Sequence, residues 1–91
     1  MTLQHTEERL ERAAGYRRQA AFVRGIARAL LELSDHIETF EAGNDPAREA
    51  KKIMKADIRD KHGKALIEVD RLEANADTLE HLVTHQPGAF I

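Results

Sequence analysis

The chain has 91 residues, 42% hydrophobic and 33% charged, with a formal net charge of −2 and no cysteine. That length holds one domain with a small core. The composition excludes a disulfide framework and thiolate chemistry, and its balance argues against bulk attraction to nucleic acid or anionic lipid.

No apolar run approaches the roughly 20 residues that a membrane span needs, and Met1–Glu8 lacks the basic and apolar regions of a signal peptide. A cytoplasmic location is therefore expected. Charge falls in four blocks: residues 1–31 carry a net +3, 32–45 a net −5, 46–64 a net +4 and 65–91 a net −4. A chain that doubles back near its middle lays each basic block beside an acidic one.

The first helix is expected over about residues 4–42, starting near Thr2 or Thr6. Thr6 is a capping type, and Glu7 and Glu8 follow it where a helix dipole favours acids. From Tyr16 the apolar spacing alternates between three and four: Tyr16, Gln19, Val23, Ile26, Leu30, Leu33, Ile37, Phe40. Such heptad spacing marks a helix that packs along one seam. Upstream, Arg12, Arg9 and His5 would occupy that seam. The contact face is expected to drift there toward Leu10, Ala13 and Ala14, or the first turns to fray.

The turn is expected at residues 43–46, Gly43-Asn44-Asp45-Pro46. Gly43 suits the left-handed position after a helix, Asp45 suits an N-cap and Pro46 a first helical residue.

The second helix is expected over about 46–85. Its spacing runs Ala47, Ala50, Met54, Ile58, His62, Ala65, Val69, Leu72, Ala76, Leu79 and Val83. The helix is expected to continue, straight or gently kinked, through Gly63; the alternative is a break there, giving a three-helix bundle, since a mid-helix glycine costs about 1 kcal/mol relative to alanine. Gln86-Pro87-Gly88 ends it and leaves the tail 86–91. The fold class is thus all-α, an antiparallel two-helix coiled-coil-like hairpin. Across the hairpin, Glu38 should meet Lys51 and Lys52, Asp35 should meet Lys55, Arg12 Asp77, and Arg9 Glu80.

A two-helix hairpin has a seam but no interior, so a second copy is expected to complete a four-helix bundle. Phe22, Leu31, Ile53, Leu66, Ile67 and Leu82 lie off the predicted seam and are the expected protein interface, with Phe90 and Ile91 of the tail as a further contact. These point to a non-enzymatic interaction module that binds itself and another protein.

Two other readings rest on charge and histidine. Arg17, Arg18, Arg24 and Arg28 would suit a nucleic-acid backbone, but acids at 68–80 oppose them. The run Arg48, Lys51, Lys52, Lys55, Arg59, Lys61, Lys64 has a similar counterpart at 32–45. His81 and His85 are four apart, a spacing that can hold a metal, and the hairpin would bring His5, Glu8 and Glu80 to the same end. No cofactor is expected.

His62 on the seam is a candidate pH-sensitive group. For catalysis there is little: Ser34, Asp35 and His36 are adjacent on a helix and point apart. An arrangement of Arg17 and Arg24 with Glu68 between helices is the one catalytic pattern left, and it names no substrate.

Overall fold

The computed structural model describes residues 3–85, with side chains from His5 to Val83. Two helices account for nearly all of it: α1, Leu3–Glu38, and α2, Asp45–His85. They pack antiparallel along their lengths, an all-α hairpin as the charge blocks and heptads indicate. The rod measures 72 × 14 × 12 Å, and its radius of gyration is 20.6 Å. A compact chain of this length has a radius of about 12 Å, so the molecule is one helix pair thick.

The helices form because Ala, Leu, Glu, Lys and Arg dominate them, and because each presents one apolar edge to the other. The buried residues are Ala13, Ala20, Ala27 and Ile37 on α1, and Ile58, Val69, Leu72 and Ala76 on α2. Between them, Tyr16, Val23, Leu30 and Ser34 are half-buried on α1, as are His62, Ala65, Leu79 and Val83 on α2. Ala20, Val69 and Leu72 form a buried cluster, with Tyr16 and Val23 packed against them.

On α2 the seam from Ile58 to Val83 follows the expected spacing. At its start the half-buried positions are Lys51 and Lys55, in place of Ala50 and Met54. On α1 only half of the expected seam is inside. Tyr16, Val23, Leu30 and Ile37 face α2, whereas Gln19, Ile26, Leu33 and Phe40 are exposed. Their places are taken by Ala20, Ala27 and Ser34, and the same repeat reaches back through Ala13 to Arg9 and Thr6. The heptad therefore does not fail upstream of Tyr16. Small residues every seven let the helix axes approach closely, so the bulkier neighbours one position away turn outward.

The connection differs in detail from the expected turn. α1 stops at Glu38, four residues before the expected end, and a short loop covers 39–44. Thr39 donates its N–H and its hydroxyl to the His36 carbonyl at 3.1 and 2.6 Å, tightening the last turn. Lys51 then donates its ammonium to the carbonyls of Glu38 and Phe40 at 3.0 and 2.8 Å. A cation on the free carbonyls of a helix C-terminus answers both their hydrogen bonding and the dipole. With that cap in place Gly43 needs no left-handed conformation, and no described residue has positive φ.

The N-cap of α2 is Asn44, one residue earlier than expected. Its Oδ1 accepts the Ala47 N–H at 2.9 Å, and its carbonyl accepts the Arg48 N–H at 3.0 Å. Asp45 and Pro46 fall inside the first turn, where a carboxylate and a residue without an N–H are both well placed. At the other end α1 is already helical at Leu3, so Thr6 is an interior residue. α2 runs unbroken through Gly63, which leaves a two-helix and not a three-helix chain.

Candidate interaction surface

The surface divides by what lies on each side of the seam. On one flank α1 presents Arg17, Arg24 and Leu31, seven apart. Arg17 donates from Nη2 to Asp77 Oδ1 at 2.7 Å and from Nε to Glu80 Oε2 at 3.3 Å, and Arg24 pairs with Glu73. Nearer the loop, Glu38 pairs with Lys55. These partners sit about a turn away from the expected ones: Asp77 meets Arg17 and not Arg12, and Lys55 meets Glu38 and not Asp35.

The shift has a geometric cause. Side chains lean toward the N-terminus of their own helix. In an antiparallel pair α1 heads thus lean away from the loop and α2 heads toward it, so an α1 residue nearer the loop meets an α2 residue further from it. The Arg17 guanidinium is held well above its ordinary range by hydrogen bonds to Glu80 and Asp77. The Glu38 carboxyl is lowered, first by its hydrogen bond from Lys55. All these groups are exposed or half-buried at the surface, so each pair contributes little stability and mainly sets the orientation of the helices.

The opposite flank of α1 is apolar. Phe22, Ile26, Ala29, Leu33 and His36 follow one another at steps of three and four, a second heptad stripe that Phe40 of the loop extends. It lies roughly 100° around the helix from the seam, by 3.6 residues per turn. Phe22 is 71% exposed, Ile26 43%, Leu33 46% and Phe40 58%. His36 and Phe40 meet edge to face with ring centroids 5.2 Å apart. Beside the stripe a groove between the helices is lined by Gly15, Gln19, Phe22 and Val23 of α1 and by Glu68 and Leu72 of α2.

The expected interface residues do not share one face. Phe22 is on the second stripe. Leu31 and Leu66 are exposed on the ion-paired flank, while Ile53 and Ile67 are on the side of α2 turned away from α1. Leu82 is half-buried near the open end, and Phe90 and Ile91 lie outside the described residues. Ile26, Leu33 and Phe40 were expected inside and are instead exposed beside Phe22. A sequence signal did exist for them: Ala13, Ala20, Ala27 and Ser34 repeat every seven residues and define a competing seam.

The other candidates fare differently. Arg17 and Arg24 are engaged with acids of α2, so the four-arginine face is reduced to Arg18 and Arg28. The catalytic pattern of Arg17, Arg24 and Glu68 is not assembled, because Glu68 bonds Arg71, with Nε to Oε2 at 3.0 Å. A basic groove near the loop is lined by Arg48, Lys51, Lys52, Lys55 and Arg59 with Ala42 and Ala56. Three of its five cations are already committed: Lys51 to the α1 carbonyls, Lys55 to Glu38 and Arg48 to Asp45.

Among the described residues no three His, Asp or Glu side chains are grouped to hold a metal. His81 is exposed, and the His85 side chain lies outside the described set. Among the described residues no helix is long and apolar enough to cross a membrane. No family model matches the chain, and no curated protein or solved structure is significantly similar to it.

Proposed function

We propose that this chain is a small, non-enzymatic protein–protein interaction module, an adaptor, chaperone or inhibitor that works through its helix faces as a homo-oligomer. The uncovered stripe of Phe22, Ile26, Leu33 and Phe40 carries this reading. A row of exposed large apolar side chains on a rod with no second layer is a surface made to be covered. Among the described residues half of the eight that are buried are alanines, each contributing much less than the roughly 1.5–3 kcal/mol of a fully buried leucine-sized side chain. Such a seam alone supplies a thin core, and association through the stripe adds what it lacks. The cysteine-free composition suits a reducing compartment, consistent with action in the cytoplasm.

Sedimentation velocity over a range of concentrations, followed by capture of partners from host lysate at low and moderate salt, tests the proposal. Self-association together with a stoichiometric protein that survives moderate salt is the expected outcome. A chain that stays monomeric at every concentration and retains only salt-labile nucleic acid would replace it with the arginine-based reading.

A further inference from the structure

We infer that a second copy of this chain covers the α1 stripe, its own α1 lying antiparallel against it with the two-fold axis at the level of residue 31. The inference rests on the homo-oligomer reading above and gives it a face, a direction and a register.

The face follows from how the apolar residues are distributed. On the same side of the hairpin, α2 presents Asp57, Lys61, Lys64, Glu68 and Arg71, with only Met54 and Leu82 apolar at its ends. An α2 helix laid over the stripe would bury those charges, whereas a second α1 stripe would not. A two-fold interface presents the same patch from both copies, and the stripe is complementary to itself when reversed. With the axis between Ala29 and Leu33, Phe22 meets the partner's Phe40, Ile26 meets the partner's His36, and Ala29 meets the partner's Leu33. The small residue thus faces the large one, as interdigitating layers require.

Charge selects the direction. Residues 17–31 hold four arginines and no acid, and residues 32–45 hold five acids and no lysine or arginine. Reversal about residue 31 lays the first stretch of each copy on the second stretch of the other. The pairs within one chain leave suitable groups unused: Arg18 on one side, and Glu32 and Glu41 on the other, have no ion pair among the described residues. Parallel stacking would set Arg18 beside Arg18 and Glu32 beside Glu32.

The exposed area agrees with one such partner. The chain exposes 6857 Å², where a compact folded chain of its mass exposes about 5,400 Å². A standard interface removes about 800 Å² from each partner, which the excess readily supplies.

Because the chain has no cysteine, single thiols report the geometry without background. Chains carrying Ala29→Cys and chains carrying Leu33→Cys are mixed in equal amounts and oxidised mildly, with Ile67→Cys on the far side of α2 as the comparison. The expected product is a mixed 29–33 disulfide dimer in several-fold excess over 29–29 and 33–33 species, and little dimer from the Ile67→Cys chain. Sedimentation of the unmodified protein should give twice 10.3 kDa, falling to the single-chain mass in Ile26→Glu with helicity retained by circular dichroism. If Ile26→Glu loses its helicity, the disulfide pattern decides alone. Like-with-like disulfides would overturn the antiparallel direction, and efficient cross-linking through Cys at 67 would overturn the face, while both leave the homo-oligomer reading standing. A protein that is monomeric throughout would overturn the inference and that reading together.

Discussion

Helix α1 carries two apolar stripes, and the one with the smaller side chains is inside. Ala13, Ala20, Ala27 and Ser34 share the seam with Tyr16, Val23, Leu30 and Ile37, while Phe22, Ile26, Leu33 and Phe40 face outward. The contrast shows that bulk does not select the inner face of a two-helix rod. Dispersion falls off steeply with distance, so two helices that approach closely over alanine gain contact along their whole length. The larger residues would hold the axes apart, and they are better used where another helix can settle between them. One stripe makes the hairpin and the other awaits an assembly.

Substitutions on the two stripes should therefore separate folding from association. The largest effect is expected at Leu72, buried against Ala20. Leu72→Ala should cost about 2–5 kcal/mol, read as a large fall in urea midpoint at a concentration low enough to keep the protein monomeric. Ala20→Leu is next: a larger side chain at this buried seam position should cost about 1–3 kcal/mol despite adding apolar surface. In the same assay Leu33→Ala should change stability by no more than about 0.5 kcal/mol, although it weakens self-association at higher concentration. If Leu33→Ala destabilised the monomer as much as Leu72→Ala, the division of α1 into an inner and an outer stripe would be wrong.

Two glycines sharpen the comparison from the backbone side. A Cβ at Gly25 or Gly63 meets nothing within 4 Å, and neither has positive φ. Gly25→Ala and Gly63→Ala should each raise stability by about 0.4–1 kcal/mol in thermal or urea melts. A loss at Gly63 would mean that α2 needs flexibility there.

The smallest expected effect is electrostatic. Hydrogen bonds from Lys55 and Arg71 hold the Glu38 and Glu68 carboxyls below their ordinary value. Folded-state values below the unfolded ones give stability that is present above the ordinary glutamate pKa of about 4.3 and is lost as pH falls through the folded values. The melting temperature should therefore drop on acidification from neutral pH toward pH ~3, by less in Lys55→Met than in the parent chain. Added salt should reduce the difference, since both pairs lie at the surface. An acid response unchanged in Lys55→Met would remove Glu38 from the account.

Much of this architecture is legible without coordinates. The hairpin, its turn near residue 44 and the α2 seam from Ile58 to Val83 follow from heptad spacing, a Pro after a capping residue, and alternating charge blocks. The α1 seam was half legible. Tyr16, Val23, Leu30 and Ile37 belong to either possible stripe, and their neighbours on one side are large and on the other small. Hydropathy favours Ile26 and Leu33 over Ala27 and Ser34, so a search for the most apolar face chooses wrongly. The expected interface shares that error, because a seam drawn through Ile26, Leu33 and Phe40 leaves only Phe22 of the outer stripe's large residues outside.

Local periodicity, turn chemistry and charge order are properties of neighbouring residues, and they determined that this chain is two antiparallel helices joined near residue 44. Which of two overlapping stripes faces inward depends on how closely two axes can approach, and no single helix contains that information. The same holds for the ion pairs, whose offset arises from side chains leaning in opposite directions across the pair. It also holds for the Lys51 cap, where a residue of α2 completes the end of α1. Only the packed hairpin decided these, since each is a relation between two helices.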